Sequence, residues 1–243
     1  MLSLFKKKSS AAIDFSVLGT DMHSHLLPGI DDGAANPEQS LELIRGLQDL
    51  GFKKFVTTPH IMADMYPNTT ATIQRAFDVL KQAGGANIPL QPAAEYFLDE
   101  TFDLLLQNEE PLLCIYDKTV LVEFSFVTTP INFKDRIFNL QIRGYQPLLA
   151  HPERYFYFGG KRVVYDELHD AGCQFACNLL SFTGYYGKAA VELAQYLLKK
   201  DYIDYLGTDA HHLRHIEALR NAHALMPIVQ KLTDAGRLLN PRI

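Results

Sequence analysis

Asp21-Met22-His23-Ser24-His25, set between the apolar run Phe15–Leu18 and the turn Leu27-Pro28-Gly29-Ile30-Asp31-Asp32-Gly33, is the stretch on which the reading of this chain turns. In an extended segment, side chains two residues apart point to the same side. His23 and His25 therefore aim two imidazoles at one point. Two neutral imidazoles suit a borderline divalent ion such as zinc, iron or manganese. Two carboxylates follow in a turn marked by proline and glycine, from which either can fold back toward that point. An isolated His-x-His is more often a pair of solvated side chains at a strand end. Here the same pattern recurs along the chain, and the recurrence decides.

Outward from this stretch, short apolar runs alternate with helical periodicity, the signature of βα units around a parallel sheet. The runs predict strands at 16–22, 53–58, 89–94, 119–125, 146–150, 173–178 and 202–207. Between them the first helix is the clearest. Asn36 caps it, Pro37 takes its first position, and Leu41, Ile44, Leu47 and Leu50 form an apolar stripe that ends at Gly51. Further helical patterns cover 70–83, 131–142, 161–171, 188–200 and 216–236, the last broken near Pro227, with a shorter one at 99–107.

The strand ends carry the chemistry. His60 follows Phe55-Val56-Thr57-Thr58-Pro59, and Glu95 follows Leu90-Gln91-Pro92-Ala93-Ala94. Glu123 sits inside the apolar strand Val120–Phe124, His151 follows Pro147–Ala150, and Asp209 and His211 follow Tyr205–Thr208. Six of the seven strands thus deliver His, Asp or Glu at or near their C-terminal edge. Parallel barrels build their active sites at that edge. So many ionisable groups converging on one ring need a partner. A cluster of metal ions explains both their number and their kinds.

Composition bounds the function classes. With 47% apolar and 21% charged residues, the 243-residue chain can bury a sizeable core. The net charge is −5 and no basic stripe exists outside Lys6-Lys7-Lys8, which argues against a nucleic-acid reader. Three cysteines are too few for a disulfide framework and fit a reducing compartment. No apolar run reaches the length of a secretory signal core or a membrane span. The expectation is a cytoplasmic protein without stable membrane insertion. It would comprise a flexible, solvated segment at 1–14 and one domain at 15–243, with no long linker or internal repeat.

In chain order the blocks are Asp-Met-His-Ser-His with Asp-Asp-Gly-Ala, Thr-Thr-Pro-His, Ala-Glu-Tyr, Val-Glu-Phe-Ser, Ala-His-Pro-Glu-Arg-Tyr and Gly-Thr-Asp-Ala-His, spanning residues 21–211. This ordered set resembles the PHP (polymerase and histidinol phosphatase) metallohydrolases. Among them it is most similar to the bacterial manganese-dependent tyrosine-protein phosphatases of capsule and exopolysaccharide synthesis. The resemblance implies an α/β fold, a distorted (βα)7 TIM-like barrel of the PHP type, holding three divalent metal ions, manganese first and iron or zinc as alternatives. His23, His25, Glu95 and Asp209 would hold the first ion, with Glu95 bridging to a second completed by Glu123 and His151. Asp32, His60 and His211 would hold the third; Asp31 competes with Asp32, and His212 with His211.

Arg154 matches an arginine that the family turns on the substrate phosphate, where a planar guanidinium can bind two phosphoryl oxygens. The bland alternative is a surface arginine paired with Glu153. A second phosphate arginine is expected after the last metal histidine. Arg214 fills that role only with altered spacing, three residues past His211. The implied reaction is metal-assisted phosphomonoester hydrolysis. The implied substrate is a phosphotyrosyl protein, the tail of a bacterial tyrosine kinase in polysaccharide export. No loop longer than about 15 residues is available to enclose a small metabolite. The alternative is a small-molecule phosphatase of the histidinol-phosphatase type. Asp31-Asp32-Gly33, and Glu123 where many relatives carry histidine, favour the tyrosine-phosphatase branch.

Other signals lead elsewhere. A cysteine phosphatase needs arginine six positions after the nucleophile, but Cys114, Cys173 and Cys177 lead to Val120, Leu179 and Thr183. Gly184-Tyr185-Tyr186-Gly187-Lys188-Ala189 lacks the spacing and the hydroxyl residue of a phosphate loop. Tyr155, Tyr157, Tyr185 and Tyr186 either line an aromatic mouth or pack away. His169, His215 and His223 fall in helical patterns and are expected in solvent.

Overall fold

The computed structural model describes residues 13–243. Lys6–Lys8, and the expected flexible segment apart from Ile13 and Asp14, therefore lie outside the described residues. Ile13 is buried at the edge of the main core.

Among the described residues, nine strands form seven staves. They are β1 (Thr20–Asp21), β2 (Lys54–Thr57), β3 (His60–Ile61), β4 (Leu90–Pro92), β5 (Glu95–Phe97), β6 (Thr119–Glu123), β7 (Gln146–Ala150), β8 (Gln174–Asn178) and β9 (Tyr205–Gly207). Every pairing between them is parallel, in the orders β1-β2-β4 and β3-β5-β6-β7-β8-β9. β2 and β3 are one stave interrupted at Thr58-Pro59, and β4 and β5 one stave interrupted after Pro92. Proline has no N–H for the ladder and restricts the residue before it, so the staves bend there. Glu95 N–H still bonds Pro59 O at 3.1 Å and Ala93 N–H bonds Thr57 O at 2.8 Å, which carries the pairing across the bends.

Closure comes from the last stave meeting the first. Ser24 bridges Ala210 in parallel, Asp209 N–H reaches His23 O at 2.8 Å, and His25 N–H reaches Ala210 O at 3.0 Å. The expected distorted barrel is therefore present, and the stretch that organises the sequence is also where the barrel closes. At the opposite end, Asn240 holds the same seam. Its amide accepts from Leu206 N–H at 2.9 Å and donates to Leu206 O and Thr20 O.

Among the described residues, eight helices pack outside: α1 (Pro37–Asp49), α2 (Thr70–Gln82), α3 (Glu100–Gln107), α4 (Phe133–Ile142), α5 (Val163–Asp170), α6 (Lys188–Lys200), α7 (Leu213–Arg220) and α8 (Met226–Asp234). Asn36 caps α1 through Gln39 N–H, as its position suggests. The pattern at 216–236 divides differently from expectation. α7 starts at Leu213 and ends before Asn221, and Pro227 opens α8 rather than breaking a longer helix. Proline suits a first turn, where no intrahelical bond is lost. Among the described residues, no helix is long and apolar enough to cross a membrane.

Inside the barrel lies a small apolar layer that includes Leu121, Leu148, Ala150 and Ala176, while the larger core fills the space between strands and helices. The period of two then decides what stands above this layer. Two residues beyond Leu121 comes Glu123, and two beyond Ala176 comes Asn178; both are buried at the C-terminal rim.

Candidate metal centre

All nine side chains expected as ligands meet at that rim. Their donor atoms form four overlapping groups: His23, His25 and Glu95; His23, His151 and Asp209; His60, Glu95 and Glu123; and His25, Asp32, His60 and His211. Glu95 sits at the middle. Its Oε1 lies 2.9 Å from His151 Nε2 and 3.6 Å from His23 Nε2, and its Oε2 lies 3.4 Å from His25 Nε2 and 3.3 Å from His60 Nδ1. Glu123 Oε1 approaches His60 Nδ1 at 2.9 Å. Of the two competing aspartates, Asp32 reaches the cluster, with Oδ1 3.5 Å from both His60 Nε2 and His211 Nε2.

Asp31 has the other task. Its Oδ2 lies 2.8 Å from His25 Nδ1 and its Oδ1 accepts from Gly33 N–H. Residue 33 must be glycine, because a Cβ there would run into the His25 carbonyl oxygen. Thr58 Oγ1 meets His23 Nδ1 at 2.6 Å. With Nδ1 occupied on both rings, the Nε2 atoms of His23 and His25 are left to face the cluster. Fixing a ligand's tautomer through its second nitrogen is the usual support for a metal-binding histidine.

Asp209 is divided in the same way. Oδ2 receives Arg154 Nη1 at 2.9 Å and Asn178 Nδ2 at 2.8 Å, while Oδ1 lies 3.4 Å from His23 Nε2, 3.5 Å from His25 Nε2 and 3.4 Å from His211 Nδ1. His151 and Asp209 both take left-handed backbone, φ 34° and 50°, a conformation that concentrates at functional sites because it costs energy elsewhere.

Electrostatics set the protonation states. Burial pushes the His23 pKa down to about 4 against the pull of Glu95 and Asp209. Burial opposes charge on His60 too, but Glu123 and Glu95 raise it to about 9. For His25 burial is again outweighed, by Asp31 and then Glu95, and its pKa stands well above the usual histidine range. Burial would raise Asp209 and Glu95, yet their imidazole neighbours, with Arg154 beside Asp209, hold both far below the carboxylate range.

Five polar atoms that serve this rim or support it have no hydrogen-bond partner though buried: His23 Nε2, His25 Nε2, Glu95 Oε2, His151 Nδ1 and Asn178 Oδ1. Native interiors rarely leave such atoms unpaired. Nitrogen and carboxylate donors converging within a few ångströms are what divalent ions of the Mn, Fe and Zn kind accept. The residues present therefore fit a metal cluster.

A cavity of 230 Å³ opens above the rim, walled by Phe126, Arg154, Tyr185, Tyr186, Arg214 and His215. Arg154 faces it and does not pair with Glu153, which is turned inward and accepts from Asn178 N–H and Ser181 Oγ. Arg214 stands exposed at the cavity's edge. The tyrosines divide. Tyr185 and Tyr186 line the cavity, whereas Tyr155 is fully buried, bonding Ala150 O and Phe124 N–H, and Tyr157 bonds Ser125 O. His215 corrects the expectation of a solvated side chain. It is buried, its Nδ1 accepts from His211 N–H at 3.1 Å, and burial holds its pKa down at about 4. His223 is exposed, as expected, while His169 is half-buried and stacks on Tyr202. Asn178, Phe126 and His215 are the site residues that the sequence reading missed. Only Asn178 carried a usable signal, the strand periodicity.

Known proteins resemble this chain along most of its length. The chain is 29% identical over 206 residues to tyrosine-protein phosphatase YwqE of Bacillus subtilis, covering 84% of this chain and 80% of that one. It is 26% identical over 202 residues to tyrosine-protein phosphatase CpsB of Streptococcus pneumoniae, covering 79% and 83%. A solved structure from work on YwqE and CpsB, described as unique metal-dependent tyrosine phosphatases, aligns with a TM-score of 0.74 at 26% identity. It covers 91% of this chain and 94% of its own. The family described as capsular polysaccharide synthesis, CpsB/CapC, matches residues 19–232, and this chain belongs to that family.

Proposed function

We propose that this protein is a cytoplasmic, metal-dependent protein-tyrosine phosphatase acting on the phosphorylated tail of a bacterial tyrosine kinase that controls polysaccharide synthesis. The observation that carries the reading is the convergence of nine His, Asp and Glu side chains with orphaned buried donor atoms, beside Arg154 in an open cavity. Its relatives YwqE and CpsB are named tyrosine-protein phosphatases.

His23, His25, Glu95 and Asp209 would hold one divalent ion, Glu95 with Glu123 and His151 a second, and Asp32, His60 and His211 a third. Manganese is the ion we favour. When bound, such ions supply a strong nucleophile from water near neutral pH and neutralise phosphoryl oxygens. The chain's own residues do the rest. Asp31 and Thr58 fix the imidazoles of His25 and His23. Arg154, anchored by one edge on Asp209, turns its remaining N–H groups to the substrate phosphate and meets charge as it develops there. Arg214 at the rim is placed to attract the anionic peptide. A phenolate is a fair leaving group, so no dedicated strong acid is required of the site. The cavity is walled by short loops, which suits an extended peptide better than an enclosed metabolite.

The test is a phosphatase panel on manganese-loaded protein with a phosphotyrosyl tail peptide, a phosphoserine peptide and histidinol phosphate. Catalytic efficiency should be highest on the phosphotyrosyl peptide. A clear preference for histidinol phosphate would overturn the substrate assignment and leave the metal centre standing.

A further inference from the structure

Arg154 is flanked by two aromatic rings that no part of the reaction so far requires. Its Cζ lies 4.4 Å from the centroid of Phe126 and 4.4 Å from that of Tyr186. The rings arrive from separate loops, Phe126 from the one after β6 and Tyr186 from the one before α6. Each is braced in turn. Phe126 packs on His151 at 5.2 Å and on Tyr155 at 5.8 Å, and the Tyr155 hydroxyl ties the Phe124 backbone to Ala150. Tyr186 packs edge-on against Tyr185 at 5.0 Å.

Neither ring is placed as hydrophobic burial alone would place it. Phe126 remains 44% exposed at the cavity wall, and the Tyr186 hydroxyl is buried with no partner. A buried hydroxyl without a hydrogen bond costs free energy. A desolvated ring over a guanidinium is a compensating gain.

We propose that Phe126 and Tyr186 are positioning residues that clamp the Arg154 guanidinium, so that the N–H groups not spent on Asp209 stand ready for the phosphoryl oxygens. The inference rests on the reading of Arg154 as the phosphate ligand. An arginine side chain has several free torsions, and ordering them during binding lowers affinity and rate. With the guanidinium already held by two rings and Asp209, little of that ordering is left for the substrate to drive. The arrangement also explains why arginine and not lysine suits position 154. A planar cation stacks on rings and keeps its donors at the edge, whereas an ammonium presents a single point of charge.

The experiment uses metal-loaded full-length Phe126→Leu, Tyr186→Leu and Tyr186→Phe proteins. kcat and KM on an aryl phosphate, metal content, and the ¹⁵N-resolved Nε–H signal of Arg154, assigned by its loss in Arg154→Ala, are measured together. Each leucine variant should lose roughly five- to thirtyfold in kcat/KM, the worth of one cation–π contact. Metal content should hold, and the Nε–H signal should lose its ring-current shift. Tyr186→Phe, which keeps the ring, should stay within about twofold of wild type. In an Arg154→Ala background, Phe126→Leu should cost nothing further.

Wild-type rates in both leucine variants would overturn the clamp. So would a loss of the same size in the Arg154→Ala background, or metal lost in place of rate. If the wild type hydrolyses no aryl phosphate, the phosphatase reading fails. The Nε–H signal then decides the clamp by itself, and an unmoved signal in both leucine variants overturns it.

Discussion

Metal occupancy should be readable as a slope of melting temperature against free metal. The barrel is closed by contacts among Ser24, Asp209, Ala210, His23 and His25, and the candidate ligands come from six of its seven staves. An ion bound there favours the folded state and has no comparable site in the unfolded chain. Stabilisation by a saturating ligand grows by about 1.4 kcal/mol per tenfold rise in free ligand for each site. For a chain of this size, 1 kcal/mol moves the melting temperature by roughly 2–4 °C. One ion therefore gives about 3–6 °C per decade of free Mn²⁺, and three ions roughly 8–17 °C. The assay is differential scanning fluorimetry or calorimetry across metal-buffered solutions, with chelator-stripped protein as baseline. Asp209→Ala, which removes a carboxylate oxygen lying within 3.5 Å of ring nitrogens of His23, His25 and His211, should flatten the slope. A slope near the one-ion value would refute three sites. Identical melting of loaded and stripped wild type would refute the metal centre.

Arg154→Ala should keep its metal and lose roughly two orders of magnitude or more in kcat, as for removal of one transition-state charge partner, and Arg154→Lys should rescue poorly. Wild-type rates in the alanine variant would make Arg154 a bystander. Iodoacetamide should leave activity intact, because burial raises the pKa of Cys173, Cys177 and the half-buried Cys114; inactivation that tracks alkylation of one thiol contradicts this. Asp31→Asn removes the carboxylate on His25 Nδ1 and should weaken metal binding by about 10–100-fold with the fold retained, measured by competition with a fluorescent chelator. Finally, the melting gap between loaded and stripped protein should widen as pH rises from 6.5 to 9.

The staves and most of the site were legible because βα folds write their function at strand ends. Each of His60, Glu95, His151 and Asp209 directly follows an apolar run or its proline break, so position and chemistry are read together. Glu123 betrayed itself as an acid in an apolar strand. What escaped depends on backbone turns that periodicity does not encode. His151-Pro152-Glu153-Arg154 leaves its strand through left-handed His151 and a 3-10 turn at Pro152–Arg154. That turn sends Glu153 inward, Arg154 to the cavity and Tyr155 to the core, so three neighbours with similar prospects had separate fates. His215 was misjudged because a helical pattern does not reveal that its face of α7 lies beneath the His211 amide. The Phe126 and Tyr186 clamp joins loops about 60 residues apart, a juxtaposition that only closure of the barrel creates.

The widening gap follows from which cations balance the buried carboxylates. Glu95, Glu123 and Asp209 are buried at the rim close to Asp31 and Asp32, and among the described residues Arg154 is the one permanent cation in contact with them. Without metal, protons must make up the difference. They sit on His25 and His60, whose pKa values are raised by the carboxylates around them although burial opposes it, while burial keeps His23 neutral. A histidine raised in the folded state contributes stability fully below its ordinary value of 6.5, and loses it as pH climbs through the folded value of about 9. The stripped protein should therefore melt progressively lower across that interval. Metal-loaded protein responds the other way, because fewer protons compete for the same nitrogens and binding tightens with pH. Melting curves that run parallel from pH 6.5 to 9 would mean that His25 and His60 do not carry the compensating charge.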